Sequence, residues 1–497
     1  MPGEGYFVHD PYGDTEPGTS EGLWIVDSET PFPGELWALR GTVEELASDG
    51  DDSLTALTTI SGRQRCATHQ TLPAVNMPLP SSGREAYESM RVRLPADLLI
   101  NQPPNRYQPN RLSVAAERIF APTEMVRPGP AAAILDERFA NATLDISLPP
   151  ATTIAYRAGD RLEPIAGVYD LRARPQLLAS AAPAVSNAAA VPQPPAATSP
   201  LRLASINLHN YFNGDGDGGG FPTDRGAESS SEFQAQSAAV AAAVAAIDPA
   251  ILAVQELEND GYAETSAIAD LTAALNQAAG TSAWTYIKPA QRQRLGEDAI
   301  AVGLLYREDR VTALGQPLIY DRPEFAEKHR VVMAQVFRRY DSQLLTLVGS
   351  VHLKSKGSCP ETGDNADQHD GQACWNAARV DAVQQLSEWI KTESSGIPAL
   401  LMGDFNSYRM EDPIRAMTRA GFVELVGQSA EPPFYSFLYR GGRGTLDYAF
   451  ATPDLVPSLT LARHWHINAD ESDPPRGEGA IWRRFSDHDP VMVDLAR

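Results

Sequence analysis

The sequence predicts an α/β (α+β) fold in which stacked β-sheets carry helices on their outer faces, preceded by a region made mostly of strands. Helical segments alternate with short apolar segments from residue 201 onward. Short strand-like segments interrupted by glycine fill the first part, and an Ala/Pro-rich stretch separates the two parts. We therefore expect a β region at 1–178, an extended linker at 179–200 and a helix-and-sheet domain at 201–497.

Composition is that of a globular protein. Hydrophobic residues make up 43% and charged residues 21% of the 497 residues, more chain than one core usually serves. No apolar run is long enough to cross a bilayer, and the opening M-P-G-E-G does not resemble a signal peptide, so neither a membrane span nor a leader is expected within this chain. The net charge of -23 argues against nucleic acid being steered by the whole surface. Any polyanion would be held locally, by a metal ion and a few basic side chains.

The first part of the chain reads as short strands. Apolar residues at 6–8 and 23–26 flank a polar loop, and near-alternation of apolar and polar residues runs through 34–43. Short strands with glycine interruptions are typical of a small barrel. A similar glycine pattern at 159–169 indicates that the region could hold two related β modules.

The second part begins with an apolar strand and a glycine-rich loop. Asp215 and Asp217 in that loop lack the later glutamate of a calcium loop, so a flexible loop is expected. Ser231 suits the start of an Ala-rich helix, and Asp248-Pro249 ends it. The predicted strands are 201–207, 251–254, 300–305, 331–337, 344–351, 400–402, 445–451 and 491–495, and the predicted helices are 231–247, 268–279 and 379–391.

The segment L-L-M-G-D-F-N-S, residues 400–407, predicts a buried strand that ends in two polar side chains. The apolar run is bounded by Pro398 and Gly403 and is too short for a stable helix. Asp404 and Asn406 lie two residues apart in extended chain, so their side chains point to the same side. A carboxylate beside a carboxamide can orient a water molecule and hold a phosphate oxygen. Asp and Asn also favour turns, so this motif alone does not separate chemistry from a turn.

Further polar side chains end the other apolar strands, and together they suit metal-assisted hydrolysis of a phosphate ester. Glu256, Asp487 and the Asn207 amide are hard oxygen ligands, which suit Mg²⁺, Mn²⁺ or Ca²⁺ and not zinc. A histidine oriented by a carboxylate can take a proton from water, and a second histidine could protonate the departing oxygen. The strand-end residues are Asn207, Glu256, His352, Asp404 with Asn406, Asp447, and Asp487 with His488.

The chain contains three cysteines. Cys359 and Cys374 flank a Gly/Asp-rich loop and could close it as a disulfide, which would leave Cys66 unpaired. A pair of thiols in a reducing cell is the alternative, and the spacing does not decide between them.

Five motifs follow one another in the second part of the chain: V-Q-E-L-E-N-D, S-V-H-L-K-S-K-G-S-C, L-L-M-G-D-F-N-S, G-T-L-D-Y-A-F and F-S-D-H-D-P-V. In their residues and their order they resemble the endonuclease/exonuclease/phosphatase superfamily, which includes deoxyribonuclease I. H-L-K-S-K-G-S-C, D-G-Q-A-C-W-N-A-A-R and W-H-I-N-A-D-E are similar to bacterial extracellular nucleases of that superfamily. The amino-terminal G-Y-F-V-H-D-P resembles their accessory OB-like region, and the likeness is dense from Leu201 to Leu495.

The resemblance implies a two-sheet β-sandwich flanked by helices, with the site where loops from both sheets meet. Asp404 and Asn406 would position nucleophile and phosphate, and His488 would pair with Asp447. His352 stands where general nucleases carry histidine, which favours them over lesion-specific repair enzymes. The residues it assigns are the metal ligands Asn207, Glu256 and Asp487, the catalytic residues His352, Asp404, Asn406, Asp447 and His488, and the phosphate-binding Arg330.

Some positions depart from the family pattern. His209 stands where repair members place an acidic metal ligand, and valines follow Arg330 where the subgroup has prolines. No partner that orients His352 is evident, and Glu297 and Asp298 are the nearest candidates in sequence.

The resemblance implies a metal-dependent nuclease that hydrolyses phosphodiester bonds of DNA, with Mg²⁺, Mn²⁺ or Ca²⁺ as cofactor. RNA as a substrate, and endonuclease or exonuclease cleavage, stay open. A secreted or periplasmic monomer is expected, and the fragment 201–497 is expected to fold alone. The alternatives are a phosphodiesterase or phosphatase of the same fold acting on lipid or inositol phosphates, and an inactive DNA-binding module. Catalytic residues are shared across these branches and do not separate them.

Overall fold

The computed structural model describes residues 5–14, 16, 18–47, 53–80, 83–150, 152, 154–429, 434–473 and 484–496. The chain divides into two compact units. Met1–Ile119 and Glu137–Ala189 form the first unit, and Phe120–Asp136 and Ala190–Arg497 form the second. The short segment 120–136 thus belongs to the second unit although it lies within the predicted β region.

The first unit is mostly strands, as predicted. Its strands form a four-stranded sheet of order β1-β2-β4-β3 and a nine-stranded sheet of order β13-β10-β7-β8-β9-β12-β11-β6-β5. The assignment as OB-like and the two-module interpretation stay predictions. Residues 84–87 form a short 3-10 helix. The elements before residue 190 are β1 (Tyr6–His9), β2 (Gly22–Ile25), β3 (Leu36–Ala47), β4 (Ser53–Ala67), β5 (Val75–Asn76), β6 (Arg91–Arg93), β7 (Leu98–Gln102), β8 (Arg111–Ala115), α1 (Pro122–Met125), α2 (Pro130–Ala142), β9 (Leu144–Ser147), β10 (Arg161–Leu162), β11 (Ala166–Asp170), β12 (Gln176–Ala179) and β13 (Val185–Asn187).

The second unit contains two six-stranded sheets, of order β16-β17-β15-β14-β27-β26 and β18-β19-β20-β21-β25-β22, and a small β23-β24 hairpin. Its elements after residue 190 are β14 (Leu201–Tyr211), α3 (Ser230–Ile247), β15 (Ile251–Glu258), α4 (Ala267–Ala279), β16 (Trp284–Tyr286), β17 (Ile300–Arg307), β18 (Val311–Tyr320), α5 (Pro323–Ala326), β19 (Val332–Arg339), β20 (Leu345–His352), α6 (Asn376–Glu393), β21 (Ala399–Asp404), α7 (Asp412–Arg419), β22 (Val423–Glu424), α8 (Val426–Ser429), β23 (Phe437–Tyr439), β24 (Gly442–Gly444), β25 (Asp447–Ala451), β26 (Leu459–His464) and β27 (Val491–Leu495).

Alternating side chains of the central strands build the core on both faces of each sheet. Leu203 and Met402 belong to the buried cluster shared by the two sheets. Ile206, on the other face of β14, packs with residues of α3 and α4. Leu401, on the other face of β21, packs with residues of α6 and α7. This arrangement confirms the predicted two-sheet sandwich with helices outside.

The Ala/Pro-rich stretch 179–200 is anchored along its length. Val185–Asn187 pairs with β10 in the first unit. Farther on, the Pro192 carbonyl accepts a hydrogen bond from the Trp465 indole at 2.8 Å, and the Thr198 N–H donates to Asp494 at 2.8 Å. The predicted linker therefore has fixed contacts within each unit.

Two further expectations concern membranes and cysteines. No helix among the described residues combines the length and the apolar character that a bilayer crossing needs. Cys359 and Cys374 are joined as a disulfide with their Cα atoms 5.3 Å apart, and Cys66 is an exposed free thiol.

Candidate active site

Strand register brings the predicted polar residues to one edge of the sandwich. β20 and β21 are parallel, and their pairing ends with His352 beside Asp404. β25 runs antiparallel to β21, so it begins with Asp447 beside Asp404. In the other sheet β14 and β15 are parallel, with Asn207 beside Gln255. Because parallel strands end at the same edge, the side chains that follow them converge.

A β-bulge brings Glu256 into this group. The pairing of β15 with β17 shifts register between Val254 and Leu257, and Glu256 has a φ of 55°. A bulge re-aims the side chain at which it occurs. The Glu256 carboxylate then accepts hydrogen bonds from Asn207 Nδ2 and from the Asn210 N–H, both at 3.1 Å.

Asp404 is the centre of the site. Its Oδ1 accepts from the Asn406 N–H at 2.7 Å. Its Oδ2 accepts from Asn406 Nδ2 at 3.1 Å and from Asn207 Nδ2 at 3.2 Å, so it links the two sheets. Burial raises the pKa of Asp404 to about 7; the nearby His488 opposes the shift and Asp447 adds to it.

His488 and Asp447 are in direct contact. His488 Nδ1 lies 2.8 Å from Asp447 Oδ2, and the Ser436 hydroxyl donates to the same oxygen at 2.6 Å. His488 Nε2 is left facing Asp404 Oδ2 at 4.0 Å. Burial disfavours the imidazolium, but the Asp447 and Asp404 carboxylates outweigh it and hold the pKa of His488 well above its usual value. The carboxylate thus favours proton uptake by the imidazole.

His352 is buried, and its Nε2 lies 3.5 Å from Asp404 Oδ2 and 3.9 Å from Glu256 Oε1. Burial, then the Arg330 charge, lowers the pKa of His352 well below its usual value, so the ring is neutral. Within the part of the chain that the structure describes, its Nδ1 has no hydrogen-bond partner.

The candidate partners of His352 contact arginines instead. Glu297 pairs with Arg294. Asp298 lies 3.4 Å from Arg225 and 3.3 Å from Arg330. Both carboxylates therefore pair with arginines and not with His352. Asp298 lies between two basic side chains beside the site, those of Arg225 and Arg330.

Asp487 and Arg330 lie at the margin of the group. Asp487 Oδ1 is 2.6 Å from His209 Nδ1. Burial opposes ionisation there, but His209 and other nearby cations hold the pKa of Asp487 below its usual range. Arg330 Nη1 donates at 3.4 Å to the Leu353 carbonyl, which also accepts from Asn406 Nδ2 at 3.1 Å. His209, which stands where repair members place an acidic metal ligand, thus contacts Asp487, one of the predicted metal ligands.

The donor set fits a hard divalent cation. Glu256, His352 and Asp404 offer ligand atoms within 4.8 Å of one another, and so do Asp404, Asp447 and His488. Carboxylate oxygens with a neighbouring amide suit Mg²⁺, Mn²⁺ or Ca²⁺. Of the three predicted metal ligands, Asn207 and Glu256 are hydrogen-bonded to each other. Asp404, which was not among the predicted metal ligands, belongs to both groups of possible ligands. The roles of all these residues stay predictions.

Sequence reasoning missed a supporting group around the His488 loop. Asp489 Oδ1 accepts from the Asn468 N–H at 2.8 Å and the Ala469 N–H at 3.0 Å, and its Oδ2 lies 2.9 Å from His466 Nδ1. Two of the family-like motifs, W-H-I-N-A-D-E and F-S-D-H-D-P-V, are therefore bonded to each other. The presence of both motifs in the sequence was the signal that could have predicted this contact. Ser436 lies in no such motif, so the sequence offered no signal for its hydrogen bond to Asp447.

Comparisons with known proteins give short or distant matches. The protein named "Uncharacterized protein YbhP" from Escherichia coli (strain K12) is 28% identical over 119 residues, 24% of this chain and 41% of that protein. A solved endonuclease/exonuclease/phosphatase family protein from Bacteroides thetaiotaomicron is 19% identical with a TM-score of 0.40, covering 59% of this chain and 96% of that one. The human Nocturnin catalytic domain is 15% identical with a TM-score of 0.38, covering 61% and 95%.

The family assignment rests on a match over a long stretch of sequence. The matching stretch runs from Ser205, in β14, to His488, and it contains every site residue predicted from the sequence. Residues 205–488 match the Endonuclease/Exonuclease/phosphatase family over more than half of the chain, and the chain belongs to that family.

Proposed function

We propose that this protein is a divalent-metal-dependent nuclease that hydrolyses phosphodiester bonds of DNA outside the cytoplasm, with RNA as the alternative polymer. The family consists of hydrolases of phosphate esters, and the convergence of Glu256, Asp404 and the His488–Asp447 pair at one sheet edge carries the proposal. These groups supply a cation site, a proton acceptor and a phosphate clamp within a few ångströms.

The chain's own residues divide the chemistry between them. His488 is held by Asp447 through Nδ1, and in its neutral imidazole form Nε2 takes the proton of the attacking water. Asp404 and Asn406, fixed to each other by two hydrogen bonds, orient that water and the phosphate. His352 is neutral, so it serves as a hydrogen-bond donor or a proton relay to the departing oxygen.

Glu256, Asn207 and Asp404 would hold the cation, with Asp487 as the predicted outer member of the set. A bound cation would neutralise the charge of the phosphate as the new oxygen bond forms. The amide of Asn207 already bonds both Glu256 and Asp404, so it aligns the two carboxylates before a metal arrives.

A group of basic side chains beside the site favours a polymer over a phosphate monoester. Lys354 lies over the Trp375 ring at 5.2 Å and has no ion-pair partner among the described residues. Burial, then Arg330, lowers the pKa of Lys354 and Arg225 adds to the effect, whereas the Asp298 carboxylate opposes it. Cations crowded in this way favour binding of an anion. The whole chain carries a net charge of -23, so a polyanion would be held by this local group of cations and not by the surface as a whole. The group therefore supports binding of the phosphates next to the scissile one.

The disulfide between Cys359 and Cys374 supports the proposed location, because disulfides persist in oxidising compartments. Secretion or periplasmic residence remains part of the proposal.

The test is a hydrolysis panel with supercoiled plasmid, linear duplex, single-stranded DNA, RNA, sphingomyelin and inositol phosphates, each with Mg²⁺ and with excess chelator. We expect cleavage of DNA that the chelator abolishes. Nicking of plasmid before linear products appear would indicate endonuclease action. Hydrolysis of lipid or inositol phosphates with all nucleic acids intact would contradict the proposal, and binding of DNA without cleavage would favour the inactive module.

A further inference from the structure

A short segment that precedes the family-matched residues 205–488 is built into the second unit. This segment, Phe120–Asp136, contains α1 and the start of α2. Its Glu124 has no exposed surface. A fully buried carboxylate is costly unless its oxygens are bonded, so its contacts indicate what it does.

Glu124 bonds two separate loops. Its Oε2 accepts from the Thr445 N–H at 2.9 Å and from the Arg409 N–H at 3.3 Å. Its Oε1 lies 3.3 Å from Arg409 Nε, and its own carbonyl accepts from Arg409 Nη2 at 2.9 Å. Burial raises the pKa of Glu124 to about 8, and the bonds from Thr445 and Arg409 oppose that shift.

Both loops carry residues of the candidate active site. Arg409 follows Asn406 by three positions, and Thr445 precedes Asp447 by two. The loops also meet directly, because the Phe405 N–H donates to the Leu446 carbonyl at 2.8 Å. Glu124 is thus a second connection between the loop of Asp404 and Asn406 and the loop that begins β25.

Neighbours of Glu124 reinforce this connection. The Met410 N–H donates to the Thr123 carbonyl at 2.9 Å, and the Thr123 hydroxyl donates to Glu411 at 2.8 Å. On the other side the Ala121 N–H donates to the Arg443 carbonyl at 2.8 Å. The segment therefore holds each loop through its backbone as well as through the buried carboxylate.

We infer that Glu124 is a positioning residue for hydrolysis: it fixes the 405–411 loop against the segment 442–447, which runs from β24 to the start of β25, and so sets the distance between Asp404 and the His488–Asp447 pair. This inference rests on the catalytic roles proposed above and adds a residue outside the family-matched stretch. An apolar residue would fill the same space without fixing either loop.

The test compares Glu124→Ala and Glu124→Gln with Asp494→Asn in the full chain. Asp494 is an equally buried acid that accepts hydrogen bonds from Arg202 at 2.7 and 2.8 Å. It lies near the end of β27 that is farther from His488. We expect Glu124→Ala to lower kcat about 100-fold with little change in KM, the size of effect that a small misplacement causes. Glu124→Gln keeps one acceptor and should recover part of kcat. Asp494→Asn should lower Tm and keep kcat.

A second readout needs no substrate. The proton between His488 Nδ1 and Asp447 should give a low-field NMR resonance, identified by its loss in His488→Ala. We expect it to shift or broaden in Glu124→Ala and to stay unchanged in Asp494→Asn. If Glu124→Ala fails to fold, Glu124→Gln is measured by both readouts. Unchanged kcat well below Tm, or an unchanged resonance, would overturn the inference. If the unsubstituted chain cleaves no nucleic acid, the nuclease proposal fails and the resonance alone decides on Glu124.

Discussion

At the scale of single residues, backbone conformations that most residues avoid aim the side chains of the site. Glu256 has a φ of 55° and Asn406 a φ of 49°, both in the left-handed region. Such conformations cost free energy and persist where surrounding contacts hold them. Gly403, with a φ of 143°, allows close approach to β20, because a Cβ there would collide with the Val351 carbonyl oxygen. Gly403 and Asn406, on either side of Asp404 in the sequence, thus each adopt a backbone conformation that most residues avoid.

Glu256→Gln should remove the charge that holds a divalent cation while keeping the size of the side chain. A partner that only orients a metal ligand is worth 10–100-fold in affinity or activity, so we expect a loss of at least about 100-fold in turnover. Mn²⁺ binding followed by electron paramagnetic resonance should weaken in parallel. The matched control is Glu393→Gln, an exposed acid at the end of α6. Full activity of the unsubstituted chain in excess chelator would contradict the metal assignment.

His329 should make the chain sensitive to acid. Burial, then the Arg379 charge, lowers its pKa to about 3, and its Nδ1 accepts from the Lys354 N–H at 3.0 Å. The folded state therefore binds this proton less readily than the unfolded state, whose pKa is near 6.5. The stability it contributes is present above pH 6.5 and is lost as the pH falls toward 3.

His329→Asn offers an amide oxygen to the same N–H and cannot become an imidazolium. Urea unfolding of both proteins at pH 7.5 and pH 4.5 measures the difference. We expect the unsubstituted chain to lose more free energy of unfolding between the two pH values than the variant. Equal losses would show that His329 does not titrate on unfolding.

At the scale of elements, apolar runs in the sequence predicted the strands and helices, but irregularities within those elements could not be predicted. Strand β27 was predicted at its observed bounds, and α3 was predicted within one residue of its start. The helix cap is Ser229, which accepts from the Glu232 N–H, because the helix begins a residue before the predicted position. The bulge in β15 was not predictable, because it depends on the register with β17, which the predicted apolar runs 251–254 and 300–305 do not encode.

The disulfide-closed loop gives a prediction at the same scale. Closing a loop with a sequence separation of 15 stabilises a chain by about 3 kcal/mol in the chain-entropy model. Cys359→Ser with Cys374→Ser should therefore lower Tm, and reducing agent should lower it equally in the unsubstituted chain. Cys66→Ser is the control and should change nothing. Two alkylated free thiols at 359 and 374 in natively secreted material would contradict the bond.

At the scale of the whole molecule, the alternation of apolar strands with helices predicted stacked sheets with outer helices, and the family resemblance implied the two-sheet sandwich. The convergence of Asn207, Asp404 and Asp447 followed from their places at strand ends. The inclusion of residues 120–136 in the second unit could not be predicted, because Glu124 and its partner Arg409 are 285 positions apart and lie in no shared motif. Long-range pairing of this kind leaves no local pattern in a single sequence.

This organisation changes the outcome expected for the fragment 201–497. Without residues 120–136, the Thr445 and Arg409 N–H groups lose their acceptor, and Thr123 no longer bonds Glu411. Buried donors left unbonded cost about 1–3 kcal/mol each. We therefore expect the fragment to melt well below the full chain and to lose kcat on short and long substrates alike.

A rescued fragment separates this cause from loss of the first unit. The fusion joins residues 120–136 through a flexible Gly/Ser linker to 190–497, which restores the missing donors' acceptor and the Pro192 carbonyl that bonds Trp465. We expect the fusion to recover most of the Tm and kcat of the full chain, and the same fusion with Glu124→Ala to recover Tm only in part and little of kcat. Calorimetry and steady-state kinetics on an oligonucleotide measure both quantities. If 201–497 alone matches the full chain, residues 120–136 do not support the site, because every contact they make would then be dispensable.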